Sequence, residues 1–386
     1  MAGMLMVATV ETSESDPKTY KRAMRSPDSA KWVEACAAEV ASLVENKVYE
    51  VVDRLASHPV ITSKWVFKRK RGITGEVEKY KARIAARGFM QEEGVDYGET
   101  YSPTVRNESI RMMIAAAASG GLHMEQLDVT TTFLYADLEE EVYLEIPEGM
   151  FEEDMTGKVL RLLKALYGLK QSPRMWNLDI DKALGEFGFR RLLADFCVYA
   201  VYDGASRVLL LLFVDDMFVI GRMTNLINIA KSFLHSRFKM KDLGAATFLL
   251  GMEIRRLPGG DIQLVQEKYL GEVLERFPVV ESRSISTPLP PGCKQSSRDS
   301  PTTAADKTAM AVIPYKSAIG SLMCLATCTR PDIAAAVSSE SRSTQIPGWL
   351  TRRRCSMSFA ISRGRVGRAS ATKGASQPLY GATAVE

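Results

Sequence analysis

Leu209–Ile220 reads LLLLFVDDMFVI, ten apolar residues enclosing Asp215 and Asp216. A run this apolar belongs in a strand covered on at least one face, where an unpaired charge is costly. The acidic pair is therefore expected at a turn, at a cation, or at both. Asp is also a common turn residue, so the dipeptide alone leaves a plain acidic turn tip open. Just upstream, Val198–Tyr202 and Val208–Phe213 flank Asp203-Gly204, a hairpin signal that leads into the pair.

A second acidic residue stands in a matching position. Met124–Val129 reads as a strand with Asp128 near its end, 87 positions before Asp215, and Phe133 follows five residues on. If the two strands lie side by side, three carboxylates share one sheet edge. That oxygen-only set suits Mg²⁺ (or Mn²⁺), and two ions roughly 4 Å apart activate an attacking hydroxyl and neutralise a leaving pyrophosphate.

Anion-binding chemistry is written further upstream. Between Lys64 and Arg87 there are nine Lys and Arg against Glu76 and Glu78. KWVFKRK (Lys64–Lys70), a turn at Gly72–Gly75 and VEKYKARIAAR (Val77–Arg87) read as a hairpin. In the second strand a period of two sends Lys79, Lys81, Arg83 and Arg87 to one face and Tyr80, Ala82, Ile84 and Ala86 to the other. A cationic strip of this kind holds a polyphosphate or a nucleic-acid backbone; a solvated edge strand kept apart by its charges is the alternative.

Elsewhere, Ser26-Pro27 and Ser172-Pro173 are cap and first-turn signals for helices, the first carrying Trp32, Cys36, Val40, Leu43 and Val44 at helical spacing, the second stopping at Gly188. Helices are also expected over Glu108–Ser119, Asn225–Phe238, Lys268–Phe277 and Tyr315–Ile333, and a hairpin from Phe248–Arg256 and Ile262–Val265 about Pro258-Gly259-Gly260. Ser282–Thr303 reads as an exposed connection. Strands and helices alternate irregularly with tight hairpins, which points to an α+β fold.

Composition narrows the field. At 386 residues, 46% hydrophobic and 25% charged, the chain has ordinary globular composition. No apolar run reaches the roughly 18 residues of a membrane helix and the start lacks a secretory signal, so a cytoplasmic or nuclear setting with no membrane partner is expected. The six cysteines form no CxxC pair and the three histidines are scattered, which argues against zinc and a disulfide framework. Of the 50 Lys and Arg, eight fall between Ser341 and Glu386 with one of the 46 acidic residues; 42 against 45, a net of −3, remain for residues 1–340. The overall +4 therefore says nothing about partners, and local clusters carry the electrostatics.

KWVFKRK (Lys64), YKARIAARGF (Tyr80), LDVTTTFLYADLEEEVYLEIPEG (Leu127), LYGLKQSPR (Leu166), FVDD (Phe213), FLLGMEI (Phe248), YKSAIGSLM (Tyr315) and TRPDI (Thr329) stand in one order along the chain. In these blocks the chain resembles the reverse transcriptase of copia-type LTR retrotransposons, over about Tyr20–Ser339. The resemblance implies a right-hand polymerase fold of fingers, palm and thumb with an antiparallel palm sheet. It implies Asp128, Asp215 and Asp216 as catalytic, metal-binding carboxylates for two Mg²⁺ (or Mn²⁺) ions. Phe133 matches the residue that screens the sugar 2′ position, with a core aromatic as the alternative. Gln171 matches the glutamine near the incoming nucleotide, with a local cap or loop residue as the alternative. Lys81 and Arg83 fall in the block that binds the triphosphate, and Gly251, Met252 and Glu253 resemble the grip on the primer end.

By this reading residues 1–25 are a flexible lead-in, 26–260 the fingers and palm, 261–340 a thumb and connection-like segment, and 341–386 an Arg/Ser-rich tail, disordered or out of frame. The partners implied are an RNA or DNA template with its primer and deoxynucleoside triphosphates; oligomeric state stays open. The chain departs from the family at Phe213 (usually Tyr), Thr130 (Lys), Thr132 (a small residue) and Tyr135-Ala136 (Asn-Gly), all without loss of a carboxylate. Continuation toward an RNase H domain is not seen after TRPDI, and no protease or integrase block precedes, so a truncated piece of a Pol polyprotein is expected. Three readings stay open: an RNA- and DNA-directed DNA polymerase, a catalytically silent nucleic-acid-binding remnant, and a non-functional pseudogene product.

Overall fold

The structure, a computed structural model, describes residues 15–71, 76–204, 206–277, 301–311 and 313–342 and the backbone of 370–372. These fall into two units, 15–110 with 123–245, and 111–122 with the residues from 246 on. No helix among them is long and apolar enough to cross a membrane.

The larger unit opens with α1 (Tyr20–Met24) and α2 (Ser29–Glu45), then β1 (Tyr49–Asp53), β2 (Val60–Ile61), β3 (Ser63–Arg71) and β4 (Val77–Ala86). Expected within a flexible lead-in, residues 20–24 are helical instead: Thr19 caps α1 by accepting the Arg22 N–H, Ala23 is fully buried and Tyr20 packs on Trp65. A few anchored side chains outweigh the polar composition; residues 1–14 lie outside the described residues.

α2 buries Trp32, Cys36, Glu39 and Leu43, one stripe at helical spacing, whereas Val44 is exposed. Trp32 meets Phe67 and Tyr80 edge-on at 5.2 and 4.7 Å, each such pair adding about 0.5–1.5 kcal/mol beyond area burial. The β3–β4 hairpin follows the period of two. Trp65, Phe67, Ala82 and Ile84 turn into this core, while Lys68 opposite Lys81 and Lys70 opposite Lys79 stand on the other face. Arg69 shares the apolar face and is buried, its charge paired with Asp28 at 3.1 Å.

After α3 (Asn107–Gly120), which from Arg111 on belongs to the smaller unit, the larger unit continues with β5 (His123–Val129), β6 (Asp137–Leu144), β7 (Lys158–Lys164), α4 (Ser172–Phe187), β8 (Arg190–Leu192), β9 (Asp195–Asp203), β10 (Ser206–Phe213), β11 (Asp216–Gly221), α5 (Thr224–Arg237) and β12 (Met240–Ala245). Four strands make a sheet in the order β1-β7-β6-β2, with β2 parallel to β6. Six make the sheet β12-β5-β11-β10-β9-β8, antiparallel throughout. Helices α4 and α5 cover one face, Trp176, Ile180, Leu184, Ile227 and Leu234 packing on Leu127, Leu210, Leu212 and Val219. Leu211, on the opposite face of β10, is buried as well, which explains the unbroken apolar run that flanks the acidic pair.

The smaller unit holds β13 (Phe248–Leu249), β14 (Met252–Arg256), β15 (Ile262–Val265), α6 (Glu267–Arg276), α7 (Ala304–Ala311), α8 (Tyr315–Cys328), α9 (Ala334–Ser341) and β16 (Ser370–Thr372). Its sheet runs β13-β14-β15-β16. Expected as one strand, Phe248–Arg256 is folded back at Leu250-Gly251, where both residues have positive φ (50° and 77°). Residues 246–260, grouped with fingers and palm in the sequence-based division, cluster with this unit. Leu270, Val273 and Phe277 of α6 and the segment after it pack on Tyr315, Ile319, Leu322 and Leu325 of α8. The expected connection over Ser282–Thr303 lies outside the described residues except for 301–303, and so does the tail apart from 370–372.

Candidate active site

β5 and β11 lie side by side, and their register sets Asp128 directly opposite Asp216. On the other side of β11, Phe213 pairs with Asp216, so Val214-Asp215 is a two-residue hairpin loop. Val214 has φ +54° and Asp215 does not share the positive φ, the pattern of a II′ turn. A β-branched residue in this region is strained by about 1–2 kcal/mol, and two tethers hold it. The Trp176 indole N–H donates to the Val214 carbonyl (2.7 Å), and the Val129 N–H donates to the Asp215 carbonyl (2.9 Å).

The three carboxylates are uncompensated: none makes an ion pair among the described residues. Burial, with the charges of Asp215 and Asp128, raises the Asp216 pKa against the bond that its carboxylate accepts from the Gln126 amide at 3.2 Å. No group of three His, Cys, Asp or Glu side chains among the described residues is arranged to hold a metal ion as it stands; Asp216 is engaged by Gln126. The donor set nevertheless fits a hard divalent cation, being all oxygen, repulsive within itself and without an ion pair among the described residues.

Lys81 and Arg83 project from β4 on the face away from the core, and both are half-buried. Burial first, then repulsion from Arg83 and Lys70, pulls the Lys81 pKa down to about 8, with Glu39 and Asp128 opposing. Glu39, on α2, accepts the Ile84 N–H at 3.1 Å; burial raises its pKa against that bond and the charges of Arg83 and Lys81. Arg83 makes no ion pair within 4 Å among the described residues; its guanidinium lies over the Tyr167 ring, 4.0 Å from the centroid. Phe133, in the turn Thr132–Tyr135, meets the same ring at 4.9 Å and 69°. The Tyr167 pKa, pushed up to about 12 mainly by burial, also feels Arg83, Asp215 and Asp128. Arg83, Asp215 and Asp128 therefore act on Tyr167 and Phe133 packs on it, so four of the expected residues meet at a side chain that sequence reasoning missed. An aromatic in a loop has no period to reveal it; only its place in the LYGLKQSPR block marked the segment.

Gln171 is fully buried at the start of α4 and its amide is committed. It donates to the Asp96 carbonyl (2.8 Å) and to Glu140 (3.3 Å) and accepts from Gln91 (2.9 Å). Gly251, Met252 and Glu253 belong to the smaller unit. Met252 is buried, and the Glu253 carboxylate is held by Arg255 at 2.7 and 2.8 Å, Arg255 being shared with Glu267.

Residues 46–291 match a family described as reverse transcriptase (RNA-dependent DNA polymerase). The chain belongs to this family. Among similar proteins, it is 41% identical over 339 residues to the Retrovirus-related Pol polyprotein from transposon TNT 1-94 of Nicotiana tabacum, covering 87% of this chain and 26% of that protein. It is 34% identical to the Pol polyprotein from transposon RE1 of Arabidopsis thaliana, covering 87% and 22%, and 31% identical to the Transposon Ty1-BL Gag-Pol polyprotein of Saccharomyces cerevisiae, covering 71% and 16%. The copia-type resemblance holds, and the chain spans about a quarter or less of the length of these relatives. A foamy viral protease-reverse transcriptase solved with double-stranded DNA superposes with a TM-score of 0.42 at 12% identity, over 87% of this chain and 48% of that one.

The departures from the reverse transcriptase pattern fall beside the site. Tyr135 turns into the core, edge-on to Phe238 at 5.2 Å, and its hydroxyl accepts the Lys239 N–H at 2.7 Å. Ala136 is buried, and Thr132 is buried with its hydroxyl on the Val129 carbonyl at 3.3 Å. These substitutions are absorbed by packing around the end of β5.

Proposed function

We propose that this chain is the polymerase region of a retrotransposon Pol polyprotein and extends a primer 3′-hydroxyl with deoxynucleotides on an RNA or DNA template. The observation that carries this reading is the register of β5 and β11, which sets Asp128 opposite Asp216 with Asp215 in the adjoining tethered turn. In this reading the six-stranded sheet is the palm of a right-hand polymerase, the β3–β4 hairpin belongs to the fingers, and 261–340 is the thumb and connection-like segment.

Asp128, Asp215 and Asp216 would hold two Mg²⁺ (or Mn²⁺) ions. When bound, such ions supply charge neutralisation and a more acidic hydroxyl. Lys81 and Arg83 hold the triphosphate, and Phe133 excludes a 2′-hydroxyl by bulk. Gln171 acts close to the nucleotide through the loops it ties together, and Gly251, Met252 and Glu253 grip the primer end.

The test is primer extension by the purified chain on RNA and DNA templates with Mg²⁺ or Mn²⁺. Extension that is lost on adding a chelator and in Asp215→Asn supports the reading. Equal extension by Asp215→Asn, or extension without metal, overturns the site. A folded wild-type chain that binds template in a salt-dependent manner but does not extend a primer is the silent remnant instead.

A further inference from the structure

We propose that Tyr167 is a positioning residue that sets Arg83 and Phe133 relative to each other, and so couples triphosphate binding to sugar discrimination. This rests on the polymerase reading above. Three segments distant in sequence meet on one ring: Arg83 from β4 lies over its face at 4.0 Å, and Phe133 from the turn after β5 meets it edge-on at 4.9 Å.

The backbone that carries the ring is fixed against β4. The Ala86 N–H at the end of β4 donates to the Tyr167 carbonyl at 2.8 Å. Gly168, next in sequence, has φ +93°, and a Cβ there would stand 2.1 Å from the Ala86 carbonyl oxygen; a Cβ at Gly88 would stand 2.1 Å from the Gly168 oxygen. Only paired glycines let the two backbones approach this closely. The loop that carries Tyr167 is thereby locked to the strand that carries Arg83.

A guanidinium held over a ring face keeps N–H donors available for phosphate oxygens. The competing partner is Glu39, whose carboxylate is acted on by the Arg83 charge. An Arg83 released by loss of the ring would turn toward that carboxylate and be neutralised. Phe133, released on its edge, would no longer stand firm where the sugar binds. The Tyr167 hydroxyl makes no hydrogen bond among the described residues, so the ring, not the hydroxyl, carries the role.

The experiment measures KM, kcat and the ratio of deoxyribonucleotide to ribonucleotide incorporation for the full chain and for Tyr167→Phe and Tyr167→Leu. It is accompanied by thermal midpoints and by equilibrium binding of dATP. Tyr167→Leu is expected to raise KM and the dATP dissociation constant on the order of tenfold, as loss of a cation–π contact and an edge contact implies. The discrimination ratio should fall severalfold, with kcat changed less than KM. Tyr167→Phe should match wild type in all of these. In an Arg83→Ala background Tyr167→Leu should add nothing further to KM.

A folded Tyr167→Leu with wild-type KM and discrimination overturns the proposal. So does a Tyr167→Phe as impaired as Tyr167→Leu, or a loss confined to the thermal midpoint. If wild type fails to extend any primer, the polymerase reading fails separately, and dATP affinity decides: equal affinity in wild type and Tyr167→Leu overturns the proposal.

Discussion

Two hairpin loops of the same length do different work in this chain. Val214-Asp215 joins β10 to β11 in the larger unit, and Leu250-Gly251 joins β13 to β14 in the smaller one. Both begin with a bulky apolar residue at positive φ, 54° and 50°. The second then takes φ 77° at a glycine, so half of its turn is unstrained. The first has no glycine; its carbonyls are tied down by Trp176 and Val129 instead. A turn that must present a carboxylate has no room for glycine at that place, and external tethers hold the backbone where sequence alone would not.

The largest difference between the two turns should be chemical. Asp215→Asn is expected to cut primer extension by about 10³-fold or more, since stabilising transition-state charge by a bound metal contributes several kcal/mol. Glu253→Gln, beside the other turn, should cost less than about tenfold, its carboxylate being already committed to a partly exposed ion pair. Comparable losses at both positions would break the contrast.

The tether is the next handle. Trp176→Phe removes the N–H that Val214 accepts and leaves a part-buried carbonyl unpaired, at about 1 kcal/mol or somewhat more. The thermal midpoint should fall by about 2–4 °C for each kcal/mol lost. An unchanged midpoint would show that the turn does not need the tether.

The Lys81 charge, which feels Asp128 opposite the first turn's strand, sharpens the comparison through pH. Lys81 titrates at about 8, below its unfolded value of about 10.4. Between those values the folded chain binds fewer protons than the unfolded one, so the Lys81 contribution makes stability rise with pH across that window. Nucleotide binding moves the opposite way, because the cation is lost. KM for a deoxynucleotide should rise about three- to tenfold from pH 7 to 9, and Lys81→Arg should flatten the rise. A profile unaltered by Lys81→Arg would remove Lys81 from the pocket.

The smallest effect belongs to the second turn. Asn tolerates positive φ, and Asn-Gly is the favoured pair for a I′ loop. Leu250→Asn should therefore stabilise by about 0.5–1 kcal/mol, read as a higher thermal midpoint.

What was legible in the sequence was mostly local. The bounds of α4 lie where Ser172-Pro173 and Gly188 signal them, although the capping position falls to Gln171 and the Ser172 hydroxyl donates to the Leu166 carbonyl instead; stop signals act within a turn of the helix. The β3–β4 hairpin was legible because one face is cationic and the other aromatic. The sheet β1-β7-β6-β2 was not: β1 is half-exposed with no clean alternation, and its partner β7 lies about a hundred residues away. The fold at Leu250 was invisible because leucine is no turn residue. At the site, the carboxylates were legible as charges in apolar runs. Tyr167 and the buried network around Gln171 depend on contacts across many tens of residues, which spacing does not encode.

The order of the six-stranded sheet has a consequence for how the chain is made. β5 sits between β11 and β12 and is synthesised before either. Its neighbours end at Gly221 and Ala245, 92 and 116 positions after Val129. At ribosomal rates both edges of β5 stay unpaired for roughly 5 to 23 s. An open strand edge is an aggregation hazard, and charge on the strand is the usual protection. Glu125 and Asp128 supply that charge during the wait, so the carboxylate proposed for catalysis also guards the nascent strand before its partners exist.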